Sequence, residues 1–195
     1  MIFLSEVYFD FHGRLVYKIT RRMVKKMETL FNILFYCIYK FDYKLHMLSN
    51  RFNPFLLLGK IPAIKRKFEE QGTTHLDVVN KIWTDKQFGF GIKISGGGLI
   101  IIVFFIIFSI CLISNAILNN PLNFSWRQQL PLCMIIAFII CYYMVFQNDK
   151  YIRYFKRYEK WSKPEKWKNA LLSFILVIGT LALFIYSFRF LIDMQ

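Results

Sequence analysis

The stretch GGGLIIIVFFIIFSICLISNAIL, residues 96–118, contains no Asp, Glu, Lys, Arg or His. At 1.5 Å per residue, a helix of this length extends about 34 Å, enough to cross a hydrocarbon core of roughly 30 Å. Two further apolar runs follow at residues 130–146 and 170–188. The sequence therefore predicts an all-α integral membrane protein with three transmembrane helices, at about residues 96–118, 130–147 and 169–190.

The charged residues lie outside these apolar runs. The chain has 26 Lys and Arg against 12 Asp and Glu, a formal net charge of +14, although 56% of its residues are hydrophobic. Cations concentrate in residues 1–95 and in the segment 148–168 between the second and third runs. We therefore predict two regions: a basic, amphipathic, helical region over residues 1–95, and a three-span membrane domain over residues 96–195 with a basic linker at 148–168.

The distribution of Lys and Arg also predicts the orientation of the spans. Loops that stay in the cytoplasm carry an excess of Lys and Arg close to the membrane. The region before the first span and the linker 148–168 are both basic, whereas the loop 119–129 holds Arg127 alone. We expect a cytoplasmic N-terminus, an external loop at 119–129 and an external C-terminus. The membrane is expected to be a plasma membrane, in particular a bacterial inner membrane.

Turn and cap residues predict where the helices of the membrane domain begin. Pro131 is expected in the first turn of span two, where a missing N–H costs little. Ser162 and Glu165 have capping-box spacing, and Pro164 fits a first turn, so a helix should begin near Lys163. The run Gly96–Gly98 lacks the lysine and the preceding strand of a phosphate-binding loop. It indicates a hinge or a close-packing site at the start of span one.

A long amphipathic helix is predicted in the N-terminal region, because apolar residues recur there in steps of three and four. The stripe consists of Val16, Ile19, Met23, Met27, Leu30, Leu34, Ile38, Phe41, Leu45 and Leu48. Two interpretations have equal weight: the helix lies in the membrane interface, or it packs on other helices of the protein. The sequence is compatible with initiation at Met1, Met23 or Met27.

The linker YIRYFKRYEKWSKPEKWK, residues 151–168, interleaves aromatic and basic side chains. On a helix, Tyr151, Tyr154, Phe155 and Tyr158 share one side, as an extension of span two would require. Contact with anionic headgroups explains the composition, and docking of an acidic protein is an alternative. Nucleic-acid binding is not expected, because both flanks of the linker are membrane helices. The predicted membrane-interface or partner-contact residues are Lys150, Arg153, Tyr154, Lys156, Arg157, Tyr158, Trp161, Trp167, Arg21, Arg22, Lys25 and Lys26.

No catalytic motif stands in this sequence, and the spacing of its four cysteines predicts neither a metal site nor a disulfide framework. We therefore expect no enzyme activity and no cofactor. The predicted spans contain no charged residue of the kind that marks a transport path. The sequence favours a structural or accessory subunit of a membrane assembly, with anionic lipid and a second membrane protein, or another copy of this chain, as partners. The alternatives are an oligomeric channel or small-solute permease, and an immunity or regulatory protein against a membrane-active toxin.

Overall fold

The structure is a computed structural model that describes residues 2–50, 52–118 and 125–192. All of its regular elements within these ranges are helical. The helices are α1 (Ile2–Ser49), α2 (Pro62–Glu70), α3 (His75–Thr84), α4 (Phe90–Ile117), α5 (Trp126–Cys141), α6 (Lys150–Tyr158), α7 (Lys163–Ser187) and α8 (Arg189–Ile192). Short 3-10 segments lie at Pro54–Lys60 and Gln147–Asp149, and a π-helical turn lies at Tyr142–Phe146. The predicted all-α fold class is confirmed for the described residues.

Within the part of the chain that the structure describes, three helical segments are long and apolar enough to cross a membrane: Phe90–Ile117, Arg127–Tyr158 and Lys163–Ser187. Their number matches the prediction, and three such helices are compatible with a multi-pass membrane protein. The first spanning helix, α4, begins at Phe90, before the predicted boundary at residue 96. Residues 90–95, which include Lys93 and Ser95, are helical as well. The predicted external loop lies partly outside the described residues, at 119–124, as do Met1 and residues 193–195.

The starts of α7 and α5 can be compared with the predicted cap and first-turn residues. At the start of α7, the Ser162 N–H donates to Glu165 Oε2 at 2.8 Å, and the Glu165 N–H donates to Ser162 Oγ at 3.4 Å. This confirms the predicted capping box. The prediction for Pro131 is wrong, because α5 begins earlier, at Trp126, and Pro131 lies inside the helix. The Ser125 N–H donates to Gln128 Oε1 at 3.1 Å, which stabilises this earlier start.

The glycine run does not form a hinge, because α4 continues as a regular helix through residues 96–98. Gly96 is buried, and a Cβ atom added to it would lie 3.0 Å from Phe146 Cζ. Gly97 differs, since a Cβ added there would meet nothing within 4 Å. Of the two predicted roles, close packing against span two is therefore the one observed, and it rests on Gly96.

Helix α4 lies at the centre of the membrane domain. Within the most apolar part of each helix, 39% of α4 is buried inside the protein, against 17% of α7. The Sγ atoms of Cys111 on α4 and Cys133 on α5 are 3.7 Å apart. On α7, the Phe184 ring stacks on Phe105 of α4 with 4.0 Å between centroids. Helices α5 and α7 therefore both pack on α4.

Helix α1 packs on one end of this bundle, the end where α4 begins. We call it the basal end, and the charge distribution predicts that it is cytoplasmic. Leu34, Phe35, Tyr36 and Tyr39 are buried there between α4, α6 and α7. Most of the predicted apolar stripe is exposed instead. The exposed stripe residues are Ile19, Met23, Met27, Leu30, Phe41, Leu45 and Leu48. The middle of α1 thus packs on protein, and contact of the exposed stripe with lipid stays a prediction.

Candidate functional site

The site begins at a break in the second spanning segment. After α5, the backbone passes through the π-helical turn and then through Asn148 (φ 56°) and Asp149 (φ 51°), both in the left-handed region. Such conformations cost energy in residues other than glycine and persist only where surrounding contacts fix them. The regular ladder of helical hydrogen bonds is interrupted here, so carbonyl groups near the break need other donors.

Two side chains supply those donors. The Lys150 ammonium donates to the Tyr143 carbonyl at 2.9 Å. Asn32, from the distant helix α1, donates through Nδ2 to the Met144 carbonyl at 3.1 Å and to the Glu28 carbonyl at 2.7 Å. Asn32 is fully buried, and its Oδ1 atom has no hydrogen-bond partner. The break in span two is therefore completed by a polar residue of α1.

Glu28, one turn before Asn32, fixes the same region by its charge. Its carboxylate accepts a hydrogen bond from the Tyr154 hydroxyl at 3.0 Å and pairs with Lys150 at 3.2 Å. The Lys150 and Glu28 side chains are only 20% and 22% exposed. Because water screens this pair less than it screens a surface pair, the attraction is stronger than that of an exposed salt bridge. Lys150 and Tyr154 of α6 are both held by α1.

A cluster of aromatic rings packs α6 on α1. Phe35, fully buried, contacts Phe146 at 5.4 Å, Tyr151 at 5.6 Å and Phe155 at 5.3 Å between ring centroids. Aromatic pairs at these separations add to the free energy gained by burying their surface. The prediction that the aromatic side chains of α6 lie on one side of the helix is therefore confirmed, and this side faces α1.

Glu159, just after α6, connects three segments of the basal end. Its carboxylate pairs with Lys86 at 2.8 Å and with Lys40 of α1 at 3.6 Å. Burial by itself raises the pKa of the Glu159 carboxyl, but the hydrogen bond and charge of Lys86, followed by those of Lys40, outweigh it and lower the pKa below its ordinary value. The Lys86 carbonyl also accepts a hydrogen bond from the Tyr151 hydroxyl at 3.0 Å. Helix α6 is thus tied both to α1 and to the segment before α4.

The C-terminal part of α1 is held by α3. The His46 ring stacks on Trp83 with 4.2 Å between centroids, and Trp83 Nε1 donates to Asp42 Oδ2 at 3.1 Å. Asn50 Nδ2 donates to Asn80 Oδ1 at 2.8 Å. These contacts fix α1 along residues 42–50 and complete a rigid layer of α1, α3 and α6 at the basal end.

The predicted contact residues of the linker have different environments. Arg153, Lys156 and Arg157 are exposed on the outer side of α6, and Trp167 is exposed at the start of α7. Lys150 is paired with Glu28, and Tyr154 is half-buried against it. Tyr158 is buried, and half-buried Trp161 stacks on it at 4.2 Å. The Tyr158 ring packs inside the protein instead of facing lipid or a partner, because α1 covers that side of α6.

The predicted residues of α1 lie together on an exposed part of that helix. Residues 17–27, which we call the arm, are exposed without exception. The arm carries Arg21, Arg22, Lys25 and Lys26 together with large apolar side chains, among them Met23 at 63% and Met27 at 48% exposure. Its base is fixed by Glu28, one residue later. Apart from Lys150, which is paired with Glu28, the predicted cations therefore form two exposed groups, one on the arm and one on α6.

Sequence reasoning missed Glu28, Asn32 and Glu159. Two of them had a weak signal: Glu28 is the only acidic residue between Arg14 and Lys40, and Asn32 is the only strongly polar residue of the segment 30–39. An isolated acid among cations and a lone amide in an apolar segment both require a partner when buried. The partners could not be identified, because they lie 112 residues away for Asn32, 122 for Glu28 and 73 for the Lys86 partner of Glu159.

Comparison of the chain with family models, with curated protein sequences and with solved structures finds no match. Among the described residues, no group of three or more His, Cys, Asp or Glu side chains could hold a metal ion.

Proposed function

We propose that the protein is a non-enzymatic structural or accessory subunit of a membrane-embedded assembly, and that the arm of α1 contacts the partner. The observation that carries this proposal is the exposure of every residue of the arm, 17–27. Large apolar side chains exposed together mark interaction surfaces. The arm's cations add a preference for an acidic surface, since complementary charge favours association and sets its orientation.

The contacts at the base of the arm support this role. Glu28 and Asn32 attach the helix to the break in span two, and the aromatic rings of α6 pack on the next two turns. A helix held in this way presents its free part in a defined direction, which lowers the entropy lost on binding. The expected partner is a membrane protein with acidic side chains near the headgroup level, and anionic lipid can share the same surface.

Site-specific photo-crosslinking in native membranes tests the proposal. A photoreactive residue at Met23 or Met27 is expected to give one discrete crosslinked protein, and the charge reversals Arg21→Glu and Arg22→Glu should reduce its yield. A photoreactive residue at Lys67 of α2, which is exposed outside the arm, is the matched control and should not give this product. Products with lipid alone, or the same product from Lys67, would contradict the proposal.

Purification in mild detergent gives a second test that does not depend on crosslinking. The partner should co-purify in a fixed ratio with the wild-type chain and be lost with the Arg21→Glu, Arg22→Glu variant. Retention of the same protein by this variant would mean that the arm is not the contact.

A further inference from the structure

A cleft of about 360 Å³ opens at the basal end between the first turns of α4 and the break in span two. Its lining residues include Lys93, Gly96, Gly97, Ile100, Phe146 and Asp149. The glycines, Ile100 and Phe146 belong to the apolar runs, whereas Lys93 precedes the first run and Asp149 follows the second. The cleft is therefore polar at one end and apolar at the other, across a predicted membrane boundary.

The two charges of the cleft have no ion-pair partner among the described residues. Among the described residues, neither the Lys93 ammonium nor the Asp149 carboxylate forms a hydrogen bond or an ion pair. The Lys93 ammonium lies 5.8 Å from the centroid of the Phe90 ring. Asp149 is held in the left-handed conformation, with φ 51° and ψ 35°. Backbone strain of this kind concentrates at functional sites, and here it falls on a residue that lines the cleft.

We propose that this cleft binds one phospholipid whose headgroup carries both a phosphate and a primary ammonium, as in phosphatidylethanolamine. Lys93 pairs with the phosphate, and the Asp149 carboxylate accepts hydrogen bonds from the ammonium, which has three N–H donors. The start of an acyl chain lies along Gly97, Ile100 and Phe146. The volume is within the range of small-molecule sites and fits a headgroup with its glycerol.

The charge pattern distinguishes this occupant from other lipids. A headgroup with a phosphate but no cation, such as phosphatidylglycerol, would leave the Asp149 carboxylate without a partner beside an added negative charge. A choline headgroup has the cation but lacks N–H donors. A free glycerophosphoethanolamine has the correct charges but nothing to fill the apolar end. The cleft should thus prefer an intact phospholipid with a primary amine.

Native mass spectrometry of the delipidated full chain in detergent tests this, with phosphatidylethanolamine and phosphatidylglycerol of identical acyl chains as probes. We expect a preference of about tenfold for phosphatidylethanolamine, the factor that one charge-assisted hydrogen bond provides. Asp149→Asn should remove most of this preference, and Lys93→Gln should weaken both lipids. Lys156→Gln, which removes an exposed cation of α6 outside the cleft, should change neither. Equal binding of the two lipids by the wild type, or an unchanged preference in Asp149→Asn, would overturn the proposal.

A second variant tests the location independently of charge. Gly97 lines the cleft, and a Cβ there meets nothing within 4 Å, so Gly97→Leu should fill the cleft without disturbing the helix. Gly179→Leu on α7 is the matched control, because its Cβ also meets nothing within 4 Å but lies outside the cleft. We expect Gly97→Leu to lose phosphatidylethanolamine without a fall in melting temperature, since leucine favours the helix more than glycine does, and Gly179→Leu to retain the lipid. Wild-type lipid binding by Gly97→Leu would place the lipid elsewhere and overturn the site, whatever the result for the arm.

Discussion

The ion pair between Glu28 and Lys150 gives the sharpest test of how α1 is attached to span two. The atoms lie 3.2 Å apart, and the two side chains are only 20% and 22% exposed. Glu28→Gln leaves the Lys150 charge unpaired, and Lys150→Met leaves the carboxylate unpaired and the Tyr143 carbonyl without its donor. Each single change should therefore cost about 1–3 kcal/mol, as expected for a buried group that loses its partner. For a chain of this size, this lowers the melting temperature by about 2–4 °C per kcal/mol.

The double variant separates the pair from its surroundings. Removing both charges together leaves no unpaired ion, so its cost should be smaller than the sum of the single costs by about 1–2 kcal/mol. Unfolding can be followed in detergent with a thiol-reactive dye, as the rise in labelling of buried Cys133 and Cys141 above the level set by the half-buried Cys37 and Cys111.

A matched control is available in α2, where Lys65 and Glu69 form an ion pair at 3.6 Å with side chains 63% and 59% exposed. A double-mutant cycle on this pair should give a coupling of only about 0.2–0.5 kcal/mol. If the coupling between Glu28 and Lys150 is no larger than this control value, the inference that α1 is fixed to α6 by a partly buried charge pair is wrong.

Three further predictions concern packing, pH and the contact between spans. Phe35→Ala removes a fully buried ring and should cost about 3–5 kcal/mol, whereas Phe41→Ala, 69% exposed, should leave the melting temperature nearly unchanged. The pKa of Glu159 is lowered from its ordinary 4.5. Its carboxylate therefore stabilises the fold above pH 4.5, and this stabilisation is lost as the pH falls through the lowered pKa. The difference in melting temperature between wild type and Glu159→Gln should accordingly shrink below pH 4.5. The Sγ atoms of Cys111 and Cys133 are 3.7 Å apart, so mild oxidation should join these two cysteines before any other pair, as peptide mass mapping would show; a different product would contradict the packing of α5 on α4.

The membrane domain was largely predictable because its signals are local. A run without charges, such as residues 96–118, determines a span by its length alone. The capping box of Ser162 and Glu165 likewise depends on residues three positions apart. The prediction for Pro131 is wrong for a local reason too, since the capping pair of Ser125 and Gln128, which begins α5, lies before the apolar run.

The basal layer was less predictable because its contacts join distant parts of the chain. The apolar stripe of α1 has regular helical spacing, yet the buried face is the one that carries Phe35, Tyr36 and Tyr39. Periodicity shows which residues share a face, but it does not show which face a partner covers. Here the aromatic rings of α6 cover the aromatic side, and their position depends on the left-handed backbone at Asn148 and Asp149. Asn and Asp adopt that conformation more readily than other residues with side chains, but their presence here does not by itself predict it at two successive positions.

The break in span two and the position of α1 depend on each other. At the break, the Met144 carbonyl accepts a hydrogen bond from Asn32 of α1, and the Tyr143 carbonyl accepts one from Lys150, which is paired with Glu28. Moving α6 relative to α5 would break these contacts and expose polar groups that burial makes costly. The contacts of Glu28 and Asn32 therefore fix α6 and α1 relative to each other. They fix the direction of the exposed cations on α6 and that of the arm together. A partner that binds both basic surfaces would meet them in one fixed arrangement, which is the property expected of a subunit that positions other proteins.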